Sequence, residues 1–192
     1  MICRTGLLWD SPLLFGRYVE DCGACCEFVT PHMLASPFYR GRFVAVIAPT
    51  GFGNPAYSNL LPALRASSQR IRKFVEMGGR MLVFGAGGNR PDSYDWLPFR
   101  VTYQHVYRPC SVTFVEDSPY ASVLADCEPD AVECDGWFPD HDATTIATCG
   151  NGESVMILKE IGEGVVVITS IHEYPSREFV KDFSCADRET LF

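Results

Sequence analysis

Apolar residues in the first half of the chain fall into short unbroken runs separated by turn residues. Ile2 to Trp9 is the first run, and its β-branched content predicts a strand. Ser11 followed by Pro12 reads as an N-cap ahead of a proline in the first helical position, so Pro12 to Val19 is predicted as a helix. Cys25 to Thr30 is a second strand, and Pro31 to Tyr39 is irregular. Phe43-Val44-Ala45-Val46-Ile47-Ala48 is apolar at every position, the pattern of a strand covered on both faces in a parallel sheet. Leu61 to Met77 puts Leu64, Ser67, Ile71, Phe74 and Val75 on one face and Arg65, Gln69, Arg72, Lys73 and Glu76 on the other. That is an amphipathic helix closed by Gly78-Gly79. Arg80 to Phe84 is a further buried strand, and it ends in Gly85-Ala86-Gly87-Gly88.

The second half is patterned differently. Val101 to Tyr107 and Ser111 to Val115 read as strands separated by Pro109, and Asp117 to Pro139 is turn-rich with a short helical piece near Tyr120 to Leu124. Thr144 to Cys149 and Glu153 to Lys159 flank Asn151-Gly152, a dipeptide that favours a tight hairpin because both positions accept positive φ. Gly162 and Gly164 lead into a strand from Val165 to Ser170, and a helix is predicted from Ser176 to Phe183. Strands alternating with helices, joined by right-handed crossovers, build an α/β fold around a parallel sheet. No repeat or linker divides residues 1–192, so one domain is expected.

Composition narrows the function classes. The chain of 192 residues is 47% hydrophobic and 21% charged, with a formal net charge of -8. Scaling of surface with size lets a chain of this length bury about 70% of its extended surface, enough for a substantial core. The acidic balance argues against nucleic acid or a membrane surface as partner, since both require clustered positive charge. No apolar stretch approaches the roughly 20 residues needed to span a bilayer. Nine cysteines without regular spacing read as thiols in a reducing compartment, and a cytoplasmic location is expected.

Three stretches together resemble the class I glutamine amidotransferase-like superfamily, including its trehalose-utilisation-type and biotin-ligase N-terminal-type relatives. They are Phe43 to Gly53, Gly78 to Gly88, and Asn151 through Gly164 to Ser170-Ile171-His172-Glu173. The resemblance covers about residues 1–88 and 143–180. It implies a flavodoxin-like central, mostly parallel sheet with helices on both faces and an antiparallel hairpin towards the C-terminus. It further implies a nucleophile elbow after Phe84, an oxyanion loop at Thr50 to Gly53, and a His–acid pair at His172 and Glu173. The chain departs from the family at the elbow, where a cysteine belongs and Gly87 stands. The nearest downstream hydroxyl is Ser93. Without a nucleophile the covalent route is lost.

The expected site is a crevice at the strand ends, formed by Thr50, Gly51, Phe52, Gly53, Gly85, Ala86, Gly87, Gly88, Asn89 and His172, where open α/β sheets bind ligands. The plain alternative is a set of tight glycine turns. Neighbouring residues on a strand point to opposite faces, so His172 and Glu173 converge only if the chain has left the strand there, and the family's spacing would select Tyr174 instead of Glu173 as the acid. Cys22-Gly23-Ala24-Cys25-Cys26 lacks a second ligand pair for zinc. Asp140-His141-Asp142 reads as a solvated loop, and Arg65, Arg70, Arg72 and Lys73 as the wet face of a helix. No metal and no cofactor is implied. The leading expectation is a non-catalytic domain that recognises a small polar ligand or a protein partner in this crevice. The rivals are a hydrolase or lyase using His172 and Glu173 with water or a metal, and a scaffold subunit of a larger complex, whose exposed apolar patch, for a partner or a second copy of the chain, is expected in the aromatic region of Tyr103, Tyr107 and Phe114.

Overall fold

The computed structural model describes residues 1–115 and 118–192, so Asp117, the first residue of the turn-rich stretch, lies outside it. Its centre is a nine-stranded sheet. Strand β1 (Ile2–Leu8) pairs in parallel with β2 (Cys25–Val29) on one side and β4 (Ala45–Ala48) on the other. Beyond β4 come β5 (Arg80–Val83) and β11 (Gly164–Thr169), both parallel. The parallel strands thus run β2-β1-β4-β5-β11, which is the flavodoxin-like order. The sheet continues antiparallel through β10 (Ser154–Ile161), β9 (Thr144–Cys149) and β7 (Val112–Phe114). The hairpin expected around Asn151-Gly152 joins β9 and β10, with Gly152 at φ 84°.

Both faces of the sheet are covered, and β4 shows why its run is apolar throughout. Val46 and Ala48 face one core, packed under α2 (Pro31–Ala35), α3 (Leu60–Ala66) and α4 (Ser68–Glu76). Ala45 and Ile47 face the other, under α1 (Leu14–Asp21) and α5 (Arg177–Ser184). Fully burying a side chain such as Val46 or Ile47 stabilises the fold by roughly 1.5–3 kcal/mol, and the alanines beside them are buried too.

Several expectations need correcting. The predicted strand from Phe43 is two elements: β3 (Arg42–Phe43) pairs with β13 (Thr190–Leu191) in a separate ribbon, and β4 starts only at Ala45. The helix expected from Leu61 to Met77 breaks at Ser67, whose hydroxyl donates to the Leu34 carbonyl at 2.7 Å and draws that turn towards α2. α2 itself occupies part of the stretch expected to be irregular, capped by the Thr30 hydroxyl, which accepts from the Met33 N–H at 3.3 Å. α1 begins two residues later than expected, because Leu13 stays extended and no side chain caps it. Pro109 does not separate strands but sits within β6 (Gln104–Cys110). β6 pairs only with β8 (Val132–Trp137), so a residue without an N–H is tolerated there. The stretch from Tyr120 holds a 3-10 turn at Ala121–Leu124 as expected, but also the unexpected β8.

The cysteines are not all thiols either. Strand β12 (Cys185–Ala186) runs antiparallel to the start of β1 with Cys185 opposite Cys3, and the two are joined in a disulfide across 182 positions of sequence. The other seven, Cys22, Cys25, Cys26, Cys110, Cys127, Cys134 and Cys149, are free. Among the described residues no helix is long and apolar enough to cross a membrane.

Candidate functional site

The expected crevice is brought together by the fold and then largely closed by its own backbone. The loop after β4 lies against the turn after β5: the Gly51 N–H donates to the Gly85 carbonyl at 2.8 Å and the Gly53 N–H to the Ala86 carbonyl at 3.0 Å. The Asn54 side-chain amide adds a third bond, to the Gly87 carbonyl at 3.0 Å. Two amides that could have faced an oxyanion are therefore engaged within the protein. Gly87 adopts φ 72°, the left-handed conformation of an elbow, but an added Cβ would stand 2.7 Å from the Gly51 Cα. The position accepts glycine for steric as well as conformational reasons.

The remaining crevice residues divide. Phe52 is fully buried, its ring edge-on to Tyr94 and Trp96, and Ala86 is buried with it. Asn89 ties the turn to β6, accepting from the His105 N–H at 2.6 Å, while Gly88 has open space around it. Ser93 does fold back under the loop, with its hydroxyl 3.1 Å from where a Cβ on Gly53 would lie. It is 1% exposed and its hydroxyl has no partner, so it is a core group out of reach of a substrate.

Open space lies beside this knot. A cavity of about 330 Å³ is lined by Leu13, Leu14 and Phe15 at the start of α1, Pro49 and Thr50 after β4, Phe84 after β5, and His172, Glu173 and Tyr174 after β11. It sits at the carboxyl ends of the parallel strands and spans the gap between β1 and β4, where the order of connections reverses, the usual ligand position in such sheets. Of the expected site residues, Thr50, His172 and Glu173 line it.

His172 finds its acid somewhere other than Glu173. Its Nδ1 lies 3.0 Å from Asp135 Oδ1, and the Asp135 side chain is only 4% exposed while that of His172 is 41% exposed. β8 carries Asp135 to this spot: the Asp135 N–H donates to the Ser170 carbonyl at 2.6 Å, and the His172 N–H donates to the Glu133 carbonyl at 2.7 Å. Asp135 packs beneath the β5 turn, where a Cβ on Gly85 would lie 2.9 Å from Oδ2, and Oδ2 has no hydrogen-bond partner. Tyr103 donates its hydroxyl to the Asp135 carbonyl at 2.9 Å, and burial pushes that phenol's pKa well up. The Tyr107 ring stands edge-on to the imidazole, 5.5 Å away. Its hydroxyl donates to Glu133, a bond that raises the phenol to about 12 and keeps it protonated at ordinary pH. Glu173 instead accepts from the Glu133 N–H at 3.4 Å.

Sequence reasoning missed Asp135. The available signal was a carboxylate inside Val132-Glu133-Cys134-Asp135-Gly136-Trp137, where apolar residues and glycine surround the aspartate. The Asp140-His141-Asp142 loop gathers elsewhere: both carboxylates face Arg100, at 3.2 and 3.3 Å, and His141 Nδ1 lies 3.1 Å from the Ala143 carbonyl. Tyr103 is buried, Phe114 half-buried and Tyr107 exposed, so only the last of the three offers a surface.

No family model matches the chain, and no curated protein matches its sequence. Solved structures do. A cytoplasmic protein, STM1381 from Salmonella typhimurium LT2, superposes with a TM-score of 0.57 at 13% identity over 93% of each chain. A protein from Thermoplasma acidophilum described as a candidate GMP synthase component gives 0.58 at 11% identity, over 95% of this chain and 92% of that one. A β-galactosidase from Rahnella sp. R3 gives 0.53 at 15% identity, and there 94% of this chain spans only 30% of the enzyme. The likeness is one of fold. At that level it is consistent with the amidotransferase-like resemblance.

Proposed function

We propose that this chain is a non-catalytic, amidotransferase-like recognition domain, which holds a small ligand in the cavity over His172. The observation that carries this reading is the state of the elbow: Gly87 offers no nucleophile, and the Gly51 and Gly53 amides are bonded to the turn itself. The nucleophile is thus missing, and two of the loop amides that could face an oxyanion are already engaged. The cavity supports binding through a mostly apolar wall, Leu13, Leu14, Phe15, Pro49, Phe84 and Tyr174, interrupted by a few polar groups. A ligand with a compact apolar body and one polar head matches that lining.

A rival reading draws on the Asp135–His172 contact, an arrangement in which an oriented imidazole takes a proton from water and hydrolyses a bound ester or amide. One set of measurements separates the two. Saturation-transfer NMR with phenethylamine, 2-phenylethanol and 3-phenylpropanoate is expected to detect at least one bound probe, with the signal reduced by Tyr174→Ala and by Leu14→Asp. Glutamine and 4-nitrophenyl butyrate are expected to show no turnover above a His172→Ala control. Failure of all three probes to bind would overturn the recognition reading. Turnover lost equally in His172→Ala and Asp135→Asn would replace it with the hydrolase.

A further inference from the structure

The polar groups that line the cavity are Thr50, His172 and Glu173, and their hydrogen-bonding sense narrows the ligand. The contact between His172 Nδ1 and Asp135 Oδ1, at 3.0 Å, fixes the imidazole plane beside the cavity. The Glu173 carboxylate is an acceptor, and its one hydrogen bond among the described residues is the long one, 3.4 Å, from the Glu133 N–H. Among the described residues no arginine or lysine pairs within 4.0 Å with Glu133, Asp135 or Glu173, and the His172 imidazole contacts Asp135 alone of the three. Of the three carboxylates Glu173 is the one that lines the cavity, where it stands as an acceptor for a cationic head.

The apolar part of the lining points the same way. Phe15 lies 5.0 Å from Tyr174 and 5.8 Å from Phe84, centroid to centroid, and Tyr174 lies 5.0 Å from Tyr18. A further aromatic ring finds offset and edge-on partners in such a cluster. The cation already nearby, Arg177, covers Tyr18 at 5.8 Å and donates to the Asp21 carbonyl at 3.1 Å, so it is held on α1 and does not line the cavity. Resting on the recognition reading above, we propose that the cavity takes a primary arylalkylamine, with the ring against Leu14, Phe15 and Phe84 and the ammonium donating to Glu173. A carboxylate head in the same place would face the Glu173 carboxylate, like charge against like.

The three probes named above share nearly one shape and differ in the head. Calorimetric titration at pH 7 is expected to show phenethylamine binding about tenfold or more tighter than 3-phenylpropanoate, with 2-phenylethanol between them. Glu173→Gln is expected to remove most of that preference and leave 2-phenylethanol within about threefold of its original affinity, which also shows that the variant is folded. Equal or tighter binding of 3-phenylpropanoate would overturn the amine assignment, as would a preference untouched by Glu173→Gln; in both cases 2-phenylethanol binding leaves the recognition reading standing. If none of the three binds, both proposals fall.

Discussion

At the scale of single residues, Gly87 marks the difference between an elbow-shaped turn and a reactive elbow. Its φ of 72° is the conformation a nucleophile would need, but the space a side chain would occupy is taken by Gly51. Gly87→Cys is therefore expected to destabilise the protein by about 1–3 kcal/mol and to give no ammonia from glutamine, as read by thermal melting and an ammonia assay. A stable variant with glutaminase activity would show that the β4 loop yields. Asp10 illustrates the opposite case, a plain surface carboxylate with a structural task. Asn59 at the start of α3 has no side-chain cap, and Asp10 supplies one from the β1–α1 loop, accepting from the Asn59 N–H and the Asn59 side-chain amide, each at 3.1 Å, and from the Ser58 hydroxyl. Partial burial works to raise the carboxyl's pKa, but these hydrogen bonds outweigh it and hold the value below the usual carboxylate range. Asp10→Ala should cost about 1 kcal/mol near neutral pH. A depressed folded-state pKa contributes stability above the unfolded value, about 3.9, and loses it as pH falls through the folded one. Urea titrations of the two proteins should accordingly converge in that acidic window.

Among the elements, legibility in the sequence follows burial and continuity. The run through Ala45 to Ala48 and the helical spacing from Leu64 to Val75 are readable because the core dictates each position. The break at Ser67 is not, since it arises from a hydroxyl reaching a carbonyl on another helix. β6 and β8 are the hardest case: they form a two-stranded ribbon with an irregular register between His105 and Arg108, so neither strand carries a clean alternation. That ribbon delivers Asp135, and half of the site's polar core is hidden with it. His172 is legible because it follows a strand whose apolar run is unmistakable. The engagement of the Gly51 and Gly53 amides has no side-chain signature at all, because backbone hydrogen bonds are not written in residue types.

For the molecule as a whole, the Cys3–Cys185 bond fastens the first strand of the sheet to the segment that follows the last helix. Closing a loop that long restricts the unfolded chain strongly, and a contribution of about 2–4 kcal/mol is expected. Thiol titration of the denatured, unreduced protein should count seven groups of the nine, and Cys3→Ser should lower the urea midpoint. A count of nine would place both sulfurs in the reduced state. The stitched loops after β4 and β5 bear on the whole in another way. Because Thr50 and Phe84 flank that seam on the cavity side, the entrance there is a fixed lip continuous with the sheet. On that side a visitor would meet an edge held by main-chain bonds, and its own outline would have to match it.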